Sequence, residues 1–427
     1  MWNQPRRVQR LYAILTGLAL LAAACAPVAM PAPTQPPAAT ATAAPADPTA
    51  TPRPEPQTLR LYSSLPLTGH SAAEAGALVD AITLAVDQQT DGGLVCAGRF
   101  RIDYVSLDDA SAASGQWAAD RERANANQAA ADPDAVVYLG TFNSDAARVS
   151  IPILNQAGLV MISPANTADD LTAGADAARY FPGGERNYAR VIARDEFQGA
   201  FGARWAAHLG ARTVYMLDDG QSYGRAIADQ FEQSAAAHTL TVVGRAEVSG
   251  NLADLTAQIT AANPDLIYYG GLAQPDLVQL IKGLRVAGVT AAVMGPDGLL
   301  IPDFAQAVTA ASGDGIYTTL AGVVPAQLPA AGQRFVADYT TRYQAPSGYT
   351  AFAYEAASVA LAAIARVCVK DRAAILKAVL ATRDFQGVLG TWSFDANGDT
   401  TLYAMLGYRV QEGVWTEVPA DFLPALP

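Results

Sequence analysis

Side chains that could hold a charged small molecule follow several short apolar segments of the sequence. Hydroxyl and amide residues follow segments 135–139 and 159–162, whereas a tyrosine and an acid follow segments 214–217 and 292–294. A hydroxyl group can donate a hydrogen bond to a carboxylate, and an acid can bind an ammonium group. Together the two sets would form a clamp for a zwitterion. The residues concerned are Gly140-Thr141-Phe142-Asn143-Ser144, Ser163-Pro164-Ala165-Asn166-Thr167, Asp218-Asp219-Gly220-Gln221-Ser222-Tyr223-Gly224, Gly270-Gly271-Leu272 and Gly295-Pro296-Asp297-Gly298.

Patterns typical of catalysis are missing from the sequence. The histidines His70, His208 and His238 do not show a metal-binding spacing such as H-E-x-x-H, and His70 and Glu74 are best explained as neighbours on one helix face. The chain has no G-x-x-x-x-G-K-[ST] loop, no G-x-S-x-G turn and no G-x-G-x-x-G after its first strand. The adjacent acids Asp108 and Asp109 are typical of a solvated turn. We therefore expect a binding protein rather than an enzyme, with no cofactor and no metal.

The candidate site must be positioned by a parallel sheet wound with helices. From Leu59 onward, short apolar strands alternate with alanine-rich helical stretches, and a second set of strands begins after Arg190. The pattern predicts an α/β protein with two doubly wound parallel-sheet lobes. Ligands of such sheets bind outside the carboxyl ends of the strands, often at helix N-termini. We expect helices to begin near Asp145 and after Thr167.

The N-terminus has the pattern of an export signal. Arg6, Arg7 and Arg10 precede an apolar segment of about signal-peptide length, and small residues lead to Cys25. The sequence Leu20-Leu21-Ala22-Ala23-Ala24-Cys25 resembles a bacterial lipobox, although Ala22 stands where a large aliphatic residue is usual. We predict a signal peptide over residues 1–24 and a lipid anchor on Cys25; simple secretion with an incidental cysteine is the alternative.

The segment that follows Cys25 has the composition of a tether. Residues 26–57 contain ten of the 26 prolines, together with alanine and threonine and almost no large apolar side chain. Such a segment cannot bury enough apolar surface to fold. We predict a disordered tether over residues 25–57, with Cys25 as the anchor at its far end.

The charge of the chain excludes some partners. The formal net charge is −12, and removal of residues 1–24, which contain three arginines and no acid, lowers it by three to −15. Phosphates of nucleic acids and anionic lipid surfaces would be repelled. We expect no nucleic-acid partner and contact with the membrane only through the lipid anchor.

From Leu59 to the C-terminus the chain resembles the branched-chain amino acid (Leu/Ile/Val-type) substrate-binding proteins of ABC importers, which have the type I periplasmic-binding fold. The resemblance rests on the order and spacing of several short motifs. These are Pro66-Leu67-Thr68-Gly69, Leu84-Ala85-Val86, Asp108-Asp109-Ala110, Ile162-Ser163-Pro164-Ala165-Asn166-Thr167, Tyr268-Tyr269-Gly270-Gly271, Met294-Gly295-Pro296-Asp297-Gly298 and Phe394-Asp395-Ala396-Asn397-Gly398-Asp399.

The resemblance assigns roles to the candidate residues. The family residues that hold the α-carboxylate and help hold the ammonium group match Ser144, Ala165 and Thr167. The family acid that pairs with the ammonium matches Asp297. The family tyrosine that closes over the ligand matches Tyr223. Phe142, Asn166 and Leu272 complete the predicted site. Two positions depart from the family, because Glu74 and Leu272 stand where tyrosines are common. Phe142 and Leu272 favour an apolar ligand side chain, whereas an inward Glu74 favours a cationic or amide-bearing one.

Each predicted site residue also has a purely structural interpretation. Ser144 and Thr167 are residue types that cap helix N-termini, Asp297 before Gly298 is typical of a turn, and Tyr223 could lie in a surface loop.

The resemblance also implies a domain arrangement. Lobe I would comprise residues 58–190 and 319–390, and lobe II residues 191–318 and 391–427, with three crossings near Arg190, Thr318 and Gly390.

Two cysteines, Cys96 and Cys368, remain once Cys25 is reserved for lipid. In the resembled fold both belong to the first lobe, so a disulfide between them is possible. Two buried free thiols are the alternative.

The function implied is the capture of a free amino acid, aliphatic or related, between two closing lobes for an ABC permease. The protein would be a monomer outside the cytoplasm, anchored to the cell membrane by Cys25. Two alternatives keep the fold: a ligand sensor that signals to a partner, and a binder of amides or short peptides.

Overall fold

The two predicted sets of strands form two separate sheets in a computed structural model, which describes residues 54–174, 177–312, 315–322, 328–346 and 348–419. These residues belong to one compact unit, Pro54–Pro427. The predicted signal peptide, Cys25, positions 25–53 of the predicted tether and positions 420–427 of the predicted second lobe lie outside the described residues.

The first sheet has six strands in the order β2-β3-β1-β4-β5-β6, and β2 is its only antiparallel member among the described residues. Its strands are β1 (Gln57–Leu65), β2 (Leu94–Val95), β3 (Phe100–Asp108), β4 (Ala135–Gly140), β5 (Val160–Ser163) and β6 (Tyr188–Arg190). The helices of this lobe are α1 (Ala72–Gln89), α2 (Ala119–Ala131), α3 (Ser144–Gln156), and, from a later part of the chain, α9 (Ala330–Arg342), α10 (Thr350–Val367) and α11 (Arg372–Leu380).

The second sheet has seven strands in the order β15-β14-β11-β10-β9-β7-β8. Its strands are β7 (Thr213–Asp218), β8 (Thr241–Glu247), β9 (Leu266–Gly270), β10 (Ala292–Gly295), β11 (Ile316–Ala321) and the antiparallel edge pair β14 (Met405–Gln411) and β15 (Val414–Glu417). Its helices are α4 (Asp195–His208), α5 (Ser222–Ala235), α6 (Leu252–Ala262), α7 (Pro275–Val286) and α8 (Pro302–Ser312). A short hairpin of β12 (Phe385–Gln386) and β13 (Thr391–Trp392) completes the described strands.

The apolar segments of the sequence form the central strands of both sheets, which confirms the predicted α/β class with two parallel-sheet lobes. All residues of β4, β5 and β9 are buried, as expected of strands covered by helices on both faces. One predicted helix is absent: after Thr167 the chain forms only a 3₁₀ turn, Asp169–Leu171. Thr172 then bonds to Asp399 and Gly174 takes a positive φ of 82°, so the turn does not extend into a helix.

The chain passes between the sheets at positions set by the strand ends. It leaves the first sheet after β6, leaves the second sheet after β11 and returns to it at β14. Since β11 pairs with β14 as far as Ala321, the second crossing comes after the expected boundary at 318/319. At the first crossing the fully buried Arg190 donates a hydrogen bond to Asp399, with 2.7 Å between Nε and Oδ1. This ion pair ties the first crossing to the third.

Helix α10 lies in the core of the first lobe. Of the described helices it is the one long and apolar enough to cross a membrane, but 72% of its apolar window is buried within the protein. It packs against α1, whose Leu78 and Ile82 are also buried. We therefore interpret α10 as a core helix.

A disulfide joins Cys96, which directly follows β2, to Cys368, the C-cap residue of α10. The two Cα atoms are 5.6 Å apart and the residues are separated by 272 positions in the sequence. The separation lies within the range that a disulfide can span. The bond links the two chain segments from which the first lobe is built.

Candidate ligand-binding site

A cavity lies between the carboxyl ends of the two sheets. The loops after β4 and β5 supply its wall in lobe I, and the loops after β7, β9 and β10 supply its wall in lobe II. The cavity is lined by Trp117, Phe142, Asn143, Ser144, Asp145, Ala165, Thr167, Gln221, Tyr223, Leu272, Asp297, Gly298 and Tyr349. Seven of the eight predicted site residues are therefore brought together, and Asn166 is not.

The lobe I wall is built around the N-terminus of α3. Asn143 is the N-cap residue and makes no side-chain capping bond, and Ser144 is the first residue of the helix. The Ser144 hydroxyl accepts a hydrogen bond from the backbone N–H of Ala168, 3.3 Å away, so it does not cap its own helix. The free amides of a first helical turn, with the helix dipole, attract an anion. This end of the cavity suits a carboxylate.

Ala165 and Thr167 line the same wall, whereas Asn166 between them points the other way. The Asn166 side chain donates hydrogen bonds to the carbonyl oxygens of Thr141, at 2.9 Å, and Phe142, at 3.1 Å, and accepts one from the buried Tyr188 hydroxyl. An extended chain directs successive side chains to opposite sides. The Asn166 side chain therefore fixes the loop after β4, which carries Phe142, and the ligand role of Asn166 stays a prediction.

The lobe II wall presents a buried acid. Asp297 begins a 3₁₀ turn directly after β10 and is only 3% exposed. Its Oδ1 accepts a hydrogen bond from the Tyr223 hydroxyl at 2.9 Å. Burial raises the pKa of Asp297, while hydrogen bonds from Tyr349, Tyr223 and Gln198 favour its charged form. Asp297 forms no ion pair within the part of the chain that the structure describes, and a ligand ammonium would give its carboxylate a cationic partner.

A second acid lies close to Asp297 but outside the cavity lining. Asp195 begins α4 and is fully buried. Burial and the neighbouring charges of Asp169 and Asp297 hold the pKa of Asp195 well above its ordinary value. Burial and the neighbouring negative charges therefore disfavour the ionised form of Asp195. Asp195 was not among the predicted site residues.

Asp219 holds the loops of the lobe II wall in place. One carboxylate oxygen accepts from the backbone N–H of Leu272, 3.1 Å away, and the other accepts from that of Gln221 at 2.9 Å. The bonds connect the loop after β9 with the start of α5, where Tyr223 is the second residue. Leu272 and Tyr223 are thus positioned by one side chain.

Two aromatic side chains of the site, Trp117 and Tyr349, were not predicted from the sequence. Trp117 comes from the connection between β3 and α2, and Tyr349 directly precedes α10. The rings of Phe142 and Tyr349 meet edge to face, with their centroids 5.2 Å apart. Glu74 of α1 lies in the same region, 8% exposed, and its Oε1 accepts from the backbone N–H of Tyr349 at 3.4 Å.

The model of a family described as periplasmic binding protein matches residues 63–414. The chain belongs to this family. The match takes in most of both sheets and every residue that lines the cavity. The two lobes and the cleft between them are therefore those of a periplasmic binding protein.

Relatives and solved structures agree with this assignment. The Leu/Ile/Val-binding protein BraC3 of Rhizobium johnstonii is 25% identical over 354 residues, which is 82% of this chain and 90% of the relative. A leucine-binding protein LivK of Thermotoga maritima superposes with a TM-score of 0.73 at 24% identity, covering 86% of this chain and all of that one. A solute-binding protein of R. palustris in complex with benzoate reaches 0.69 at 22% identity, covering 86% of this chain and 97% of that one. These likenesses support the type I periplasmic-binding fold.

Proposed function

We propose that the chain is the solute-binding component of an ABC importer and captures a free α-amino acid between its two lobes. One observation carries the proposal. The cavity places a helix N-terminus with Ser144 on one lobe opposite the buried Asp297 of the other. The two walls match the carboxylate and the ammonium group of one zwitterion.

The geometry supports a hinged mechanism. The carboxylate docks first at the start of α3, with Ser144 and Thr167 as hydroxyl donors. Lobe II then closes and brings Asp297 and Tyr223 over the ammonium group. Because burying a zwitterion is costly unless both charges are paired, closure depends on the ligand. Charge-assisted hydrogen bonds of about 1.5–3 kcal/mol each make a dissociation constant near ~1 μM reachable.

The names of the relatives support an amino acid as the solute. The proteins from Rhizobium johnstonii and Escherichia coli K12 are both named Leu/Ile/Val-binding proteins, each 25% identical to this chain. A structure of LivJ from Streptococcus pneumoniae, with a TM-score of 0.70 and 21% identity, is described in complex with isoleucine. The benzoate complex has no ammonium group to pair, whereas Asp297 supplies the acid that an α-amino acid requires. We assign the chain no enzymatic role.

We further propose that the binding lobes are monomeric and work outside the cytoplasm, tethered to the membrane by a lipid on Cys25. The basic and apolar N-terminus, the small residues before Cys25 and the proline-rich segment after it support this proposal. The permease would accept the solute from the closed form.

Calorimetric titration of the full chain tests the proposed ligand class. The protein is purified in mild detergent, stripped of ligand by unfolding and refolding, and titrated with each of the twenty amino acids, a few amides and short peptides. Binding of at least one free amino acid is the expected result. Failure of every amino acid to bind a folded sample would refute the proposal, and binding of amides or peptides alone would replace the ligand class.

The anchor is tested separately by replacing one residue. The Cys25→Ala variant should be exported without lipid and should move from the membrane fraction to the soluble fraction. Cys96 and Cys368 form the disulfide, so Cys25 is the one cysteine left for modification. Equal membrane association of the variant and the natural chain would contradict the anchor.

A further inference from the structure

A second cavity adjoins the zwitterion site and extends from it toward α1. Both cavities share a largely apolar wall, which includes Trp117, Phe142, Leu272 and Tyr349. Further apolar side chains of the second cavity are Leu300 and Ile301. An amino acid held by its ammonium and carboxylate groups in the first cavity would direct its side chain toward this wall.

Two titratable side chains of the second cavity already have partners in the protein. The Glu74 Oε1 accepts a hydrogen bond from the backbone N–H of Tyr349 at 3.4 Å, and the ring nitrogen Nδ1 of His70 lies 3.1 Å from the carbonyl oxygen of Gly115. Most of the remaining wall is apolar. Such a space suits an uncharged aliphatic side chain.

The second cavity is small, with a volume of about 30 Å³. On this scale a single water molecule needs about 10–15 Å³, so the cavity has room for about two or three groups of that size, such as methyl or methylene groups. Trp117 is the largest side chain of the wall and lines both cavities. Its ring therefore sets how far a ligand side chain can extend.

Trp117 is carried by a short closed loop between β3 and α2, residues 110–117, which we call the Trp117 loop. The loop is closed at its base, where Ala110 and Trp117 pair as antiparallel strands do. The backbone N–H of Ser111 also donates to the carbonyl oxygen of Gln116 at 2.8 Å. These bonds fix the backbone from which the Trp117 ring projects.

The Trp117 loop is fastened to the turn that precedes α1. The carbonyl oxygen of Gly115 accepts from the backbone N–H of His70 at 3.0 Å. Gly69 touches the same oxygen, since a Cβ built on it would lie 2.0 Å away, and its φ of 82° also favours glycine. At the end of β3, Asp108 accepts from the backbone N–H of Leu67 at 2.9 Å. The ring cannot withdraw from the cavity unless these contacts break.

We infer that Trp117 determines the specificity of the site: its ring, held by the Trp117 loop, limits the ligand side chain to about three carbon atoms, as in alanine and valine. The inference rests on the proposed function, since the clamp at Ser144 and Asp297 orients the side chain. It sets the chain apart from relatives whose names place leucine first.

The first test is a ranking of ligands on the natural full chain. Dissociation constants are measured by calorimetry for L-alanine, L-valine, L-leucine and L-phenylalanine. L-Leucine has one carbon more than L-valine and should bind about tenfold more weakly than the better of L-alanine and L-valine, and L-phenylalanine should bind more weakly still. L-Leucine or L-phenylalanine binding as tightly as that better ligand overturns the inference but leaves the amino-acid function standing. If no amino acid binds, the proposed function fails as well.

The second test assigns the size limit to Trp117. In Trp117→Ala the dissociation constant of L-phenylalanine should fall about tenfold or more, whereas that of L-alanine should change by less than about threefold, because its single methyl group does not need the space that opens. Trp117→Phe should shift L-phenylalanine in the same direction by less. Equal changes for both ligands would assign Trp117 a structural role and overturn its role in specificity.

A control and a loop variant complete the test. Tyr343→Ala is the matched control, because Tyr343 is a partly exposed aromatic residue of the same lobe and lines neither cavity, so its ligand ranking should be that of the natural chain. Gly69→Ala forces a Cβ against the Gly115 carbonyl and should weaken the discrimination against L-phenylalanine. Thermal unfolding of every variant checks the fold. A folded Gly69→Ala with unchanged discrimination would overturn the part assigned to the loop.

Discussion

Replacement of Asp297 is the most direct perturbation of the clamp. In Asp297→Ala the bound ammonium would lose its carboxylate partner, and the Tyr223 hydroxyl would lose its acceptor 2.9 Å away. Asp297 is 3% exposed, so water cannot take the place of the carboxylate without opening the site. Truncating one partner of a buried, hydrogen-bonded charge pair costs about 2–5 kcal/mol. The dissociation constant should therefore rise by roughly 30-fold to 5,000-fold.

The conservative variant Asp297→Asn refines the expectation. Its amide oxygen can still accept from Tyr223 and from the ammonium group, but it carries no charge. We expect its affinity to lie between that of the natural chain and that of Asp297→Ala. Asp276→Ala is the matched control, because Asp276 is an exposed acid of the same lobe and lies outside the cavity lining. It should bind as the natural chain does.

Calorimetry with paired ligands separates the ammonium contact from general damage. L-Leucine is compared with 4-methylpentanoate, and L-valine with 3-methylbutanoate, since each second compound lacks the α-ammonium group. The natural chain should prefer the amino acid of each pair, and Asp297→Ala should lose most of that preference. If Asp297→Ala keeps its affinity for both amino acids within about threefold and unfolds at the same temperature, Asp297 does not bind the ammonium.

Three further predictions concern pH and stability. Burial raises the pKa of Asp297, so the affinity for L-leucine should fall as the pH decreases through that raised pKa, beginning above the ordinary pKa of 3.8. Calorimetric titrations at several pH values should show this fall in the natural chain and no such fall in Asp297→Asn. Burial raises the pKa of Glu122 from 4.5 to about 7, so the protein should become less stable, by up to ~3 kcal/mol, as the pH rises through about 7. Glu122→Gln should flatten this pH dependence of the free energy of unfolding in urea. An unchanged pH dependence in that variant would contradict the prediction. Replacing Cys96 and Cys368 together by alanine should lower the free energy of unfolding by roughly 3–5 kcal/mol in the same assay, and a loss below about 1 kcal/mol would count against the disulfide.

The sequence was most informative where local pattern and topology agree. The apolar runs that form β4, β5 and β9 are completely buried. A short continuous apolar run in the sequence indicates a buried strand of this kind. Once the strands are placed, the residues after them must share one edge of a sheet. Ser144 and Asp297 could therefore be assigned to one cavity although 153 positions of chain separate them.

The sequence was least informative where a side chain reaches the site from outside the strand ends. Trp117 lies in the connection before α2, and Tyr349 comes from the segment that returns to lobe I after β11. Glu74 could be placed on α1 but not oriented, because its direction depends on how that helix is rotated against the cleft. The direction of Asn166 depends on the local course of an extended loop, which its sequence motif does not specify.

The disulfide between Cys96 and Cys368 has a consequence for the protein after proteolytic attack. All of lobe II from α4 to β11 lies between these two cysteines, as do the connections at the first two crossings. A single cut anywhere in this interval divides the polypeptide but leaves the two fragments covalently joined. A nicked molecule would therefore keep both halves of its first lobe and run at full mass until a reductant separates them.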